Sequence, residues 1–165
     1  MHLYHHQISE KIAERVSNPM IRRLVQHWHD HKPVGDALPA VAAFTADDIA
    51  WCWNNVMLLQ QLPDGDLRYI HYGDAIADAA GFNLKGKRIS HFQGRIGQFF
   101  REKYNLCLAN CSPLYTIHRA DLAPNVQSWE RLMLLLADDR DQLHILAFNQ
   151  PLELRFDLLD SILRA

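Results

Sequence analysis

Residues 96–111, IGQFFREKYNLCLANC, set Ile96, Phe99, Phe100, Tyr104, Cys107, Leu108 and Cys111 at helical spacing, and β-favouring runs stand on both sides of them. Ahead of this helix, VMLLQQL and LRYIHYG flank Pro63, Asp64, Gly65 and Asp66, which is a hairpin signal. Behind it, after Asn110 to Pro113 end the helix, come PLYTIHRAD, then VQSWERLMLLLAD beyond a turn at residues 122–125, then LHILAFNQ beyond a loop at residues 138–141. The chain therefore reads as five strands around one helical crossover. Residues 74–92, rich in small residues and glycine, fit the short helices and tight loops of such a crossover.

The flanks read as helical. In ISEKIAERVSN, Ile8, Ile12 and Val16 form a narrow stripe that Asn18 and Pro19 should end. In MIRRLVQHWHDHK, Ile21, Leu24, Val25 and Trp28 form a second, which Lys32, Pro33 and Gly35 close. Residues 33–47 read as an extended connector, and Thr45 with Asp47 and Asp48 offers an N-cap to a short helix, DDIAWCW, with Ile49 and Trp53 on one face. The tail PLELRFDLLDSILRA sets Leu154, Leu158 and Ile162 against Phe156, Leu159 and Leu163, enough for two amphipathic turns. The expected organisation is an N-terminal helical flank at 1–35, a central domain at 36–150 and an amphipathic linker or helix at 151–165.

At 165 residues, with 48% apolar and 22% charged, the chain can build one core without disulfide or metal. A net charge of −2 lacks the basic footprint of a nucleic-acid-binding domain. Lys85, Lys87, Arg88, Arg95, Arg101 and Lys103 are a local exception, most simply a solvated face. Cys52, Cys107 and Cys111 form no CxxC pair and fit a reducing compartment as free thiols. No signal-peptide pattern and no apolar run long enough to span a membrane is visible, so the expectation is a cytoplasmic protein without membrane or nucleic-acid partners.

The stretches IRRLVQHWHDHKPVGDALPA, DDIAWCWNNVMLLQQLPDGDLRYIHYGDAIADAAGFNLKGKRIS and SWERLMLLLADDRDQLHILAF, together covering about residues 21–150, resemble PAS domains, in particular a PAS_5-like bacterial branch. The most specific part runs from Leu62 to Lys87, where Tyr69, Gly73, Gly81 and Gly86 fall at the spacing with which these domains close their second strand and enter the next helix. The resemblance implies an α+β fold: a five-stranded antiparallel sheet with helices on one face, preceded by N-terminal helices and followed by a short C-terminal helix. It also implies a place in signal transduction, as a stand-alone regulator or joined to an output domain.

Nothing points to catalysis. GxSxG, HExxH and GxxxxGK[ST] are absent, and the acidic pairs Asp47, Asp48 and Asp138, Asp139 fall at a helix start and in a loop. Of the ten histidines, only His27 and His31 of the 27–31 group would share a helical face, which falls short of a zinc set; His2, His5 and His6 read as a frayed terminus. Cys107 and Cys111 serve best as small apolar packing. His71, His91 and His118 are conceivable haem ligands without a CxxCH, and no cofactor is identified.

In a PAS-like arrangement the long helix covers the concave face of the sheet. The expected lining of a ligand cavity is then Phe99, Phe100, Tyr104, Tyr115, Ile117, Trp129, Arg131, Met133 and Phe148, with the choice of strand face open to a one-residue register error. Trp129 and Tyr104 either stack a ring or fill the core. Arg131 is the unusual member: a buried guanidinium needs a partner, either an acidic ligand or an internal carboxylate such as Asp78. The function expected is a signalling input module that binds a small organic or acidic ligand, relays its state through the helices at 8–32 and the tail, and forms a homodimer through their apolar stripes. The alternative is a ligand-free adaptor that binds a signalling partner protein.

Overall fold

The computed structural model describes residues 3–8, 16–119 and 126–154. Its elements are β1 (Leu3–Ile8), α1 (Pro19–Asp30), β2 (Val56–Gln61), β3 (Leu67–Tyr72), α2 (Asp74–Ala80), α3 (Gly94–Asn110), β4 (Leu114–His118), β5 (Val126–Ala137) and β6 (Leu143–Leu154). All the strand pairs are antiparallel, in the order β1-β4-β5-β6-β2-β3. The hairpin, short helix, long helix and three closing strands follow one another in the expected order and make an α+β domain. The five expected strands pair as one sheet, and a sixth joins its edge.

That sixth strand is a correction to the sequence reading. Leu3–Ile8 pairs with β4, with His5 opposite Ile117 and His6 opposite Thr116, so these histidines stand in a strand and not in a frayed terminus. The helix expected over 8–18 falls mostly on residues outside those described, as does His2; Ile8 itself is in β1, and residues 16–18 are not helical. Asn18 begins the next helix instead: its Oδ1 accepts from the backbone N–H groups of Met20 and Ile21 at 3.0 and 3.4 Å, with Pro19 in the first helical turn.

The short helix expected after Thr45 does not form. The Thr45 hydroxyl accepts from the Asp48 backbone N–H at 3.4 Å, as a cap should, and Asp48 Oδ2 accepts from the Thr45 N–H at 3.0 Å, but from Ile49 the backbone bonds step by three residues, Cys52 to Ile49 and Asn55 to Cys52. This tighter winding buries Ile49 and Cys52 under α1 and delivers Val56 directly into β2. At the other end β6 runs on to Leu154, past the expected boundary at Gln150; residues 155–165 lie outside those described.

Glycine is required at the crossing that follows β3. A Cβ on Gly73, between β3 and α2, would enter the backbone carbonyl of Asn54, so only glycine lets the two segments pass.

The sheet is covered on both sides. On the inner face α2 and α3 pack Ile76, Phe99, Phe100, Tyr104 and Cys107 against Met57, Leu59, Tyr69, Trp129, Met133, Leu135, Ile145 and Ala147. On the outer face α1 and residues 41–55 pack Ile21, Leu24, Val25, Trp28, Phe44 and Ile49 against Leu58, Leu132, Leu134, Leu136, Leu146 and Phe148. β4 begins opposite Met133, leaving β5 open beyond that point; there the Trp28 indole donates to the Leu135 carbonyl at 2.9 Å, and Ala137 donates its N–H to the Pro39 carbonyl. The helix expected to act as a lever is thus fixed to the sheet by a wholly buried stripe. Among the described residues, no helix is long and apolar enough to cross a membrane.

Candidate functional site

Alternation along β5 places Trp129, Arg131 and Met133 together on the inner face, and the register decides which neighbours join them. Thr116 of β4, Arg131 of β5 and Asn149 of β6 lie opposite one another, forming a polar row across three strands; His118 stands opposite Trp129 in the next row. Tyr115 pairs with Leu132, Ile117 with Glu130, and Phe148 with Leu132. Tyr115, Ile117 and Phe148, expected to line the cavity, therefore face outward into the α1 side. The one-residue shift reverses them because side chains alternate with a period of two.

A cavity of about 30 Å³ lies where α2, residues 82–84 and the inner face meet, bordered by Met57, Tyr69, Tyr72, Ile76, Phe100, His118, Trp129, Arg131 and Asn149. Of the expected lining, Phe100, Trp129 and Arg131 border it. Phe99, Tyr104 and Met133 belong to the same inner core, and Tyr104 reaches the site by a hydrogen bond between its hydroxyl and that of Tyr69 at 3.1 Å. Tyr69, Tyr72, His118 and Asn149 were absent from the expected lining. For His118 and Asn149 a signal existed, since both follow once Arg131 is taken as inward and the strands are paired.

Arg131 is 5% exposed. Its Nε donates to Asn149 Oδ1 at 2.6 Å, and Asn149 in turn donates to the Ala147 carbonyl at 3.2 Å. The guanidinium lies 5.1 Å from the Phe100 ring centre and 5.9 Å from that of Tyr104, which offers the charge two aromatic faces. No carboxylate among the described residues pairs with it: Asp78 is exposed, and buried Glu130 points to the opposite face, where it accepts from the Tyr115 hydroxyl at 2.7 Å and from Asn18 Nδ2 at 2.9 Å. Among the described residues Arg131 Nη1 has no hydrogen-bond partner.

His118 is 1% exposed, its Nδ1 3.3 Å from the Thr116 hydroxyl and its ring 5.2 Å from that of Phe99. Its Nε2 is likewise without a partner among the described residues. Burial, then the charges of Arg131 and Lys103, push its pKa down to about 2, so the ring is neutral at physiological pH. Burial also raises the Tyr69 hydroxyl well above its ordinary range, with Tyr104 adding to the shift, so that hydroxyl stays protonated as well. The site thus presents one fixed positive charge, neutral polar atoms and apolar walls.

The other weighed groups are engaged elsewhere. His71 stacks on Trp53 at 3.9 Å with its Nε2 on the Trp53 carbonyl, and His91 is exposed. His118 does border the cavity, but about 30 Å³ gives no room for a porphyrin. His27 Nε2 contacts the Ala43 carbonyl at 2.7 Å and His31 Nδ1 the His27 carbonyl at 2.8 Å, so each uses a ring nitrogen within its own fold. Cys107 is buried, its thiol pushed up to about 12, and Cys111 is exposed at the left-handed end of α3.

No family model matches this chain, and no curated protein matches it. Among solved structures it is similar to one described as an RNA-binding light-oxygen-voltage receptor, with a TM-score of 0.48 and 13% identity; the match covers 98% of this chain and 43% of that one. No residue role is carried over from so distant a likeness.

Proposed function

We propose that this chain is a signal-transduction domain of the PAS type, akin to the PAS_5-like bacterial branch, that senses a small ligand in the chamber between α2, α3 and the inner face of the sheet. The observation that carries the proposal is the pair Arg131 and His118, each buried, each bordering one cavity and each with a polar atom unmatched by the described residues. A core built only for stability does better with apolar side chains than with a guanidinium lacking a carboxylate, so a molecule that completes these groups supplies the reason for keeping them. We place the domain in the cytoplasm, with a partner protein or output domain receiving its state. Because α1 is already committed to the sheet, the relay and any homodimer contact would run through other surfaces.

A thermal-shift screen of small anionic, neutral and cationic compounds on the purified chain tests this reading. A compound that raises the melting temperature of the wild type and not of a His118→Phe variant supports it; a screen in which nothing acts through the chamber sinks it. The ligand-free adaptor is favoured by the cavity's size, about a tenth of the ~300 Å³ at which ordinary ligand pockets begin. That alternative gains if the same screen is silent while a signalling protein binds the intact chain.

A further inference from the structure

The chamber has a definite chemical sense. Its one permanent charge is the Arg131 guanidinium, whose Nε is occupied by Asn149 while Nη1 is left over. Two strands of register bring His118 to the same face. If the Thr116 hydroxyl donates to His118 Nδ1, the neutral ring carries its proton on Nε2 and becomes a second donor. Two donors, one charged and one neutral, then meet apolar walls that include Met57, Ile76 and Phe100. A water molecule there would satisfy the hydrogen bonds but leave the buried charge uncompensated. A planar monoanion satisfies both, with one oxygen on each donor.

Resting on the sensory reading above, we propose that the chamber takes a compact monovalent carboxylate of formate to acetate size, held between Arg131 Nη1 and His118 Nε2, with its carbon end against the apolar wall. Size and charge both set this class. A cavity of about 30 Å³ favours the shortest acids, and a single guanidinium beside a neutral imidazole balances one negative charge, not two. Neutral isosteres lose the charge match and bind more weakly. Arg131 supplies the affinity and His118 the orientation.

The test measures melting temperatures of the intact chain with sodium formate, sodium acetate, formamide and acetamide at matched ionic strength, for wild type, Arg131→Met and His118→Phe. The expected result is a rise of roughly 5 °C or more at a hundredfold excess of carboxylate over its Kd. The amides should give little rise, Arg131→Met none, and His118→Phe at least a tenfold weaker response. Because Arg131→Met removes an unmatched charge it should fold, so a flat response is interpretable. An unaltered response in Arg131→Met overturns the proposal. A rise with the amides but not with the carboxylates overturns it too, while leaving the small-ligand reading in place. Silence from these four, with another compound acting through the chamber, does the same; silence from every compound removes both.

Discussion

The two faces of this sheet are built to different standards. On the outer face every buried polar group described above has a partner: Glu130 accepts from Tyr115 and Asn18, the Trp28 indole from α1 reaches the Leu135 carbonyl, and the rest is close apolar packing. On the inner face Arg131 and His118 each keep an atom that no described residue matches, beside a cavity and among packed aromatic rings. The same strands carry both faces, so the contrast does not come from a poor backbone or a loose end. One side closes its polar groups with its own residues, and the other keeps polar atoms that the described residues do not match.

The contrast can be broken most severely from the outer side. Trp28→Ala removes a wholly buried side chain and its bond to an open strand edge, and should cost about 3–5 kcal/mol in chemical denaturation. Glu130→Ala strands the Tyr115 hydroxyl and releases the Asn18 cap from β5; a loss of about 2–3 kcal/mol is expected by the same measurement. A loss as large from Glu130→Gln would show that the charge and its two acceptor oxygens, not shape, hold that contact.

The inner face should respond through pH. The native His118 resists protonation down to about pH 2, whereas the unfolded chain takes up a proton near the ordinary value of 6.5, so acid favours unfolding below that value. Between pH 7.5 and 5.5 the group should remove about 1.4 kcal/mol of stability, a slope absent from His118→Phe. The smallest effect has the opposite sign. Arg131→Met exchanges an unmatched charge for a hydrophobe of similar length and should raise stability by about 1 kcal/mol in the same denaturation series. A destabilised Arg131→Met would mean that Asn149 and the two aromatic rings already compensate the guanidinium.

Much of this architecture was legible along the chain, because hairpin chemistry and helical periodicity are local. Gly65 at φ +84 turns β2 into β3 where the PDGD signal stands, and α3 buries the Phe99, Phe100, Tyr104 and Cys107 stripe that its spacing singled out. Two things escaped for physical reasons. Leu3–Ile8 is polar and histidine-rich, and its partner strand lies more than a hundred residues away, so no nearby pattern marks it. Residues 132–136 are all fully buried, since the sheet is covered on both sides, and a strand buried on both faces carries no alternation from which to choose one. Trp129 and Arg131 did point the right way. Tyr115, Ile117 and Phe148 were assigned to them without the pairing that sets the phase.

The strand order also bears on when this protein can exist at all. β2 pairs with β3 and β4 with β5 through neighbouring sequence, but the two halves meet only across β6, where Val56 lies opposite Phe148 and Met133 opposite Ala147. During synthesis the nascent chain can hold two separate hairpins and a helix, while the sheet waits for its final strand to leave the ribosome. Until then the apolar runs of β2 and β5 stand uncovered, which makes this interval the one in which a chaperone has most to do.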